Sequence, residues 1–126
     1  MIQAPNRTTS RSPSEVDVGI SARIKRRRNE LRLTTDNIGS AIGCSQQQYT
    51  RFENGANRIP AGKLVAIAGA LETNIALLAP AQTQQDIDLQ QIIRDFLQLS
   101  EGNRRAFKNS LKAAVAAQNT YQSPVR

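Results

Sequence analysis

Gly43 separates two short stretches of helical character, and no other residue constrains this chain as tightly. Thr34 suits the N-cap of a helix running through Ile42, whose Ile38 and Ile42 lie one turn apart on the same side. Glycine accepts the left-handed backbone that a tight turn between helices needs, and Ser45 just beyond it can cap the next helix. That second helix spans Gln46 to Glu53 and is closed by Asn54-Gly55. Helical spacing puts Ser45, Tyr49 and Phe52 on one side of it and Gln47, Thr50, Arg51 and Asn54 on the other. One side is expected in a core; the other is free and carries amide, hydroxyl and guanidinium groups.

The rest of the chain continues in helices. Ile20, Ile24 and Leu31 mark a first helix whose other faces are basic, and Leu64, Ile67, Ala68 and Leu71 recur at i, i+3, i+4 and i+7 after Pro60. Asn74 suits the cap of a brief fifth helix. Aromatic residues make up 4% and Trp is absent, so the core must be built from aliphatic side chains on helices, and the expected class is all-α. Five segments follow: a flexible arm over 1–17, a five-helix domain over 18–79, a linker over 80–87, a helical hairpin over 88–118 and a frayed tail over 119–126.

Lys and Arg number 17 against 10 Asp and Glu, a net charge of +7 that favours a polyanionic partner. There is no His, and the single Cys44 can form neither an internal disulfide nor, alone, a zinc site, so no metal or cofactor is expected. Cys44 is expected in packing rather than in redox chemistry. No nucleophile and base share a motif, and Asp86, Asp88, Asp95 and Glu101 read as helix-end and surface charges, which argues against an enzyme. No run is apolar enough for a signal peptide or a membrane span, so the cytoplasm is the expected location.

The segment TTDNIGSAIGCSQQQYTRFENG, the basic ARIKRRRNELRL before it and PAGKLVAIAGAL after it resemble, in this order, the XRE/Cro family of phage-repressor-like regulators. The likeness covers about Val18 to Leu78, and the wording QQQYTRFENGANRI is similar to alphaproteobacterial members. The resemblance implies a lambda-repressor-like domain of five helices that binds double-stranded DNA through a helix-turn-helix and regulates transcription, most often by repression. It implies that Gln46, Gln47, Thr50 and Arg51 read bases, that Thr35, Gln48, Asn54, Arg58 and Arg26 meet phosphates, and that Arg28 and Glu53 form a structural ion pair.

Four positions depart from the family. Thr35 replaces a Gln that usually buttresses the first reading residue, Arg32 and Glu72 replace glycines at helix ends, and Tyr49 replaces Val or Ile. The neighbouring run Lys25-Arg26-Arg27 is open between phosphate contact and plain solvation.

The stripe in the last two helices has two readings, a cap on the chain's own core or a subunit interface. Pairing is the expectation, through Ile92, Ile93, Phe96, Leu97, Phe107 and Leu111, giving a homodimer on a two-fold site. The hairpin is too small to enclose a drug-sized ligand. An antitoxin whose hairpin seals a toxin is the alternative function.

Overall fold

The computed structural model describes residues 12–122, and every regular element among them is a helix. Seven follow in order: α1 (Glu15–Glu30), α2 (Thr35–Ala41), α3 (Gln46–Glu53), α4 (Ala61–Ala70), α5 (Ile75–Leu78), α6 (Gln84–Gln98) and α7 (Glu101–Gln122). They divide into two compact units at Gln82 and Thr83. The first holds α1 to α5 around a core of Ile24, Ile38, Ile42, Tyr49, Phe52, Ile67, Ala68, Leu71 and Leu78. Cys44 packs half-buried against that core.

One backbone device ends each of the first four helices. After α2, Gly43 takes φ +72, its N–H donates to Ser40 O at 3.2 Å, and the Cys44 N–H donates to Gly39 O at 2.9 Å. The same pair of bonds closes α1 at Arg32, α3 at Gly55 and α4 at Glu72, which answers the carbonyls a helix end leaves open. Two of the four turning residues are not glycine: Arg32 has φ +58 and Glu72 φ +52, the left-handed conformation that disfavours a Cβ.

Basic side chains cover two of those ends. Arg27 donates from Nε to Leu71 O at 2.9 Å and from Nη2 to Glu72 O at 3.1 Å, and Lys63 Nζ donates to Ile42 O at 3.1 Å. Each cation sits where a helix dipole is negative. Arg27 is thereby taken out of the basic run Lys25-Arg26-Arg27, which the sequence leaves open between phosphate contact and solvation.

Three boundaries differ from the sequence reading. α1 opens at Glu15, inside the expected arm, because Ser14 Oγ accepts from Asp17 N and Asp17 Oδ2 accepts from Ser14 N, a complete capping box. Thr83 and Asp86 make the same box, so α6 begins within the expected linker of 80–87. α7 runs to Gln122, past the expected end at 118, since its alanine-rich second half is strongly helix-forming. Residues 1–11 of the arm and 123–126 of the tail lie outside the described residues.

In the second unit, Leu99 and Ser100 link α6 to α7, and Ser100 Oγ accepts from Asn103 N. The helices meet at this corner. Phe96 and Phe107 have ring centroids 5.9 Å apart, and Arg104 lies 5.5 Å from the Phe96 centroid while donating to Phe96 O and Leu97 O. No described side chain of either helix is buried. Among all described residues, no helix is long and apolar enough to cross a membrane.

The shared helix-end device makes a test. An added Cβ at Gly43 meets nothing within 4 Å, so Gly43→Ala acts through backbone conformation alone and should lower stability by ~1–2 kcal/mol in urea unfolding. Arg32→Gly should shift the midpoint the other way. Equal and small effects at both positions would contradict the assignment.

Candidate nucleic-acid interface

α3 is fixed to the domain by its inner side. Ser45 Oγ accepts from Gln48 N at 3.1 Å and starts the helix. Tyr49 and Phe52 enter the core one turn apart, at 0% and 3% exposure, which turns the opposite edge to solvent. Gly39 on α2 permits the close approach, because a Cβ there would lie 3.2 Å from Cys44 O. At the far end, the buried Ser21 of α1 donates its hydroxyl to Phe52 O at 2.7 Å.

The last turn of α3 is also held by charge. Arg28 of α1 donates from Nε to Glu53 Oε2 at 2.8 Å and from Nη2 to Oε1 at 2.6 Å, a two-pronged contact with side-chain exposures of 13% and 4%. Arg28 Nη1 donates onward to Leu33 O at 2.8 Å, so the same guanidinium braces the α1–α2 turn. Burial by itself would raise the Glu53 carboxyl, but the hydrogen-bonded Arg28 guanidinium, helped by the nearby Tyr49 phenol, outweighs it and holds the group below its ordinary 4.5. The Tyr49 phenol is pushed upward, first by burial and then by Glu53. Its hydroxyl is buried and lacks a partner at good hydrogen-bond geometry, so Tyr49 contributes chiefly as apolar volume.

The outward edge of α3 presents Gln46, Gln47, Arg51 and Asn54 exposed and Gln48 and Thr50 half-buried. Gln46 Nε2 donates to Thr35 Oγ1 at 3.0 Å. Thr35, shorter than the Gln the family usually has there, therefore still reaches and orients the first amide. Thr50 Oγ1 donates to Gln46 O at 2.8 Å, which commits its hydroxyl hydrogen to its own helix.

The remaining expected residues are dispersed. Asn54 is the exposed C-cap of α3. Arg58 Nε lies 3.1 Å from Asp17 Oδ2, a pair between α1 and the loop after α3. Hydrogen bonds from Ser14 lead the causes that hold Asp17 below its ordinary 3.8. Arg26 turns toward Glu30 on its own helix at 3.8 Å with its side chain 83% exposed. In the second unit Ile92, Leu97, Phe107 and Leu111 are exposed, and Ile93 and Phe96 are half-buried.

Sequence reasoning did not find Asp17, Ser21 or the Arg27 clamp. Ser14-Glu15-Val16-Asp17 does carry the capping-box spacing, which was a readable signal for Asp17. Ser21 and Arg27 bond to backbone carbonyls 31 and 44 residues away, and no local pattern announces such contacts.

Residues 20–81 match a family model described as a helix-turn-helix domain. An uncharacterized HTH-type transcriptional regulator of Sinorhizobium fredii is 36% identical over 72 residues, covering 57% of this chain and 50% of that protein. A second from the same organism is 39% identical over 59 residues, 47% of this chain and 41% of that one. A third, from Sinorhizobium medicae, is 27% identical over 101 residues and covers 73% of each. The chain spans about half the length of the first of these relatives and less of the second.

The Arg28 and Glu53 pair generates a prediction with a sign. A depressed native pKa adds stability that is in place above 4.5 and is lost as pH falls through the native value. Arg28→Ala leaves Glu53 buried without its cation and should cost ~3–5 kcal/mol at neutral pH. Burial then acts unopposed and raises the carboxyl, so the deficit should narrow as the medium is acidified toward the ordinary glutamate range. Urea unfolding at a series of pH values measures this, and a deficit independent of pH would contradict it.

Proposed function

We propose, on the premise that residues 20–81 are a helix-turn-helix domain, that this chain is a transcriptional regulator that binds double-stranded DNA sequence-specifically through α3. The observation that carries the reading is the Thr35-held amide of Gln46 beside the exposed Gln47 and Arg51 on one edge of a helix anchored from within.

The chemistry of base reading follows from what these groups have left to offer. With one amide hydrogen on Thr35, Gln46 keeps a carbonyl oxygen and a second N–H, the acceptor and donor that complement adenine N6 and N7. Gln47 carries the same pair unencumbered. Arg51 offers the fork that suits guanine O6 and N7, and the Thr50 methyl suits the thymine methyl. Because α3 is short and held by Arg28, Ser21 and the core, these groups arrive preorganised, and little side-chain or backbone ordering is left to oppose binding.

Phosphate contacts set the register. Thr35 can turn its hydroxyl hydrogen outward while accepting from Gln46, and Arg58 keeps both Nη nitrogens beyond the Asp17 contact. Gln48, Asn54 and Arg26 complete the set, and the net charge of +7 supplies the long-range attraction. A single α3 reads few base pairs, so the working unit is a homodimer on a pseudo-palindromic operator, paired through the apolar stripe of α6 and α7. Repression in the cytoplasm, by occupying DNA that polymerase needs, is the proposed outcome.

Two measurements test this reading. Gln47→Ala should weaken binding to a selected duplex by ~1–3 kcal/mol in fluorescence anisotropy while leaving binding to a scrambled duplex nearly unchanged. Equal losses on both duplexes would remove base reading. Wild-type affinity should fall linearly in log K against log salt, with a slope that Arg58→Ala makes shallower by roughly one. A flat salt response would falsify phosphate-dominated binding.

A further inference from the structure

α6 and α7 carry apolar stripes that their own contact leaves open. Leu89, Ile92 and Leu97 on α6 and Phe107, Leu111 and Val115 on α7 are each between a third and just over half exposed, and no described side chain of either helix is buried. Helices of 15 and 22 residues draw most of their stability in water from a packed apolar face, so these faces call for cover.

The charges beside the stripes say what covers them. In heptad terms Leu89 and Phe96 occupy a and Ile92 occupies d on α6, which puts Asp88 and Asp95 both at g. Gln84 and Gln91 brace those carboxylates along the same edge by amide hydrogen bonds of 2.9 and 3.0 Å, and neither carboxylate is ion-paired among the described residues. On α7, Leu111 occupies a and Phe107 and Ala114 occupy d, so Lys108 stands at e and Lys112, one turn along on the same side, at the adjoining b. Neither lysine is ion-paired among the described residues.

A g edge meets an e edge when two helices run in the same direction. Folded back on its own α6, α7 runs the opposite way and sets Asp88 and Asp95 against its own g positions, the neutral Ser110 and Ala117. Nor can the chain bring its own α7 around to run alongside. A return along α6 has to cover about 22 Å, whereas the two linking residues, Leu99 and Ser100, reach about 7 Å.

We infer that the acidic edge of α6 is met by the basic edge of α7 from a second copy of this chain, with the two helices parallel and their apolar stripes joined. The arrangement is reciprocal. One α6 lies on the partner's α7 and the partner's α6 lies on the first α7, a self-complementary interface of two-fold symmetry. The inference rests on the homodimer reading above and specifies its pairing as an exchange between chains.

Charge reversal tests the exchange. One variant carries Asp88→Lys with Asp95→Lys, the other Lys108→Glu with Lys112→Glu, and sedimentation velocity measures association of each alone and of the two mixed. Each alone should self-associate at least about tenfold more weakly than wild type, since like charges then face each other twice. The mixture should form a heterodimer that recovers wild-type affinity to within about threefold, because both exchanged contacts then pair opposite signs. All four substitutions in one chain should also restore the homodimer, which controls for folding. A wild-type dimer with no recovery on mixing overturns the exchange and leaves the homodimer standing. Wild type that stays monomeric overturns both.

Discussion

The buried fork between Arg28 and Glu53 is the contact on which the first unit depends. It joins the last turn of α1 to the last turn of α3, and the same guanidinium reaches Leu33 O, so three elements share one cation. Two charges this far out of water stabilise only when each is satisfied by the other, which makes the pair intolerant of change at either end. Ser21 reinforces it by bonding Phe52 O one residue earlier. The consequence is an α3 whose inward side is determined at several points and whose outward edge is therefore aimed.

Around that joint the domain is assembled from repeated parts. The helix-end motif recurs four times, and Arg27 and Lys63 stabilise two of those ends with charge from neighbouring helices. Arg32 and Glu72 accept a conformation that glycine would occupy with less strain. For Glu72, the Arg27 contact to its carbonyl offsets part of that strain and ties α1 to the end of α4.

Much of this was legible in the sequence, for physical reasons that can be named. Gly43, Ser45 and Asn54-Gly55 act through local backbone preference, so the bounds of α3 follow from neighbours in the chain. Periodicity likewise separated Tyr49 and Phe52 from Gln47 and Arg51. What it could not separate were the three arginines in a row at positions 26 to 28: Arg26 reaches Glu30 on its own helix, whereas Arg27 and Arg28 reach the ends of α4 and α3, far away in the chain. Resemblance supplied the Arg28 pairing, and nothing local supplied Arg27. The start of α1 is written in the Ser14 to Asp17 spacing, within a stretch whose polar composition resembles a flexible arm.

The two units differ in how their apolar surface is used. The first closes a core of nine buried side chains, whereas the second keeps its stripes at the surface beside Asp88, Asp95, Lys108 and Lys112, none of them ion-paired among the described residues. In the proposed function the first unit reads DNA and the second pairs chains. The most direct test of the central claim is a nuclear magnetic resonance titration of the isotope-labelled chain with a duplex selected for binding. The account predicts that the side-chain amide signals of Gln46 and Gln47 and the Arg51 signals shift most, while those of Val65, on the exposed side of α4, hold still. Largest shifts on α4, α6 or α7 with α3 unmoved would contradict it.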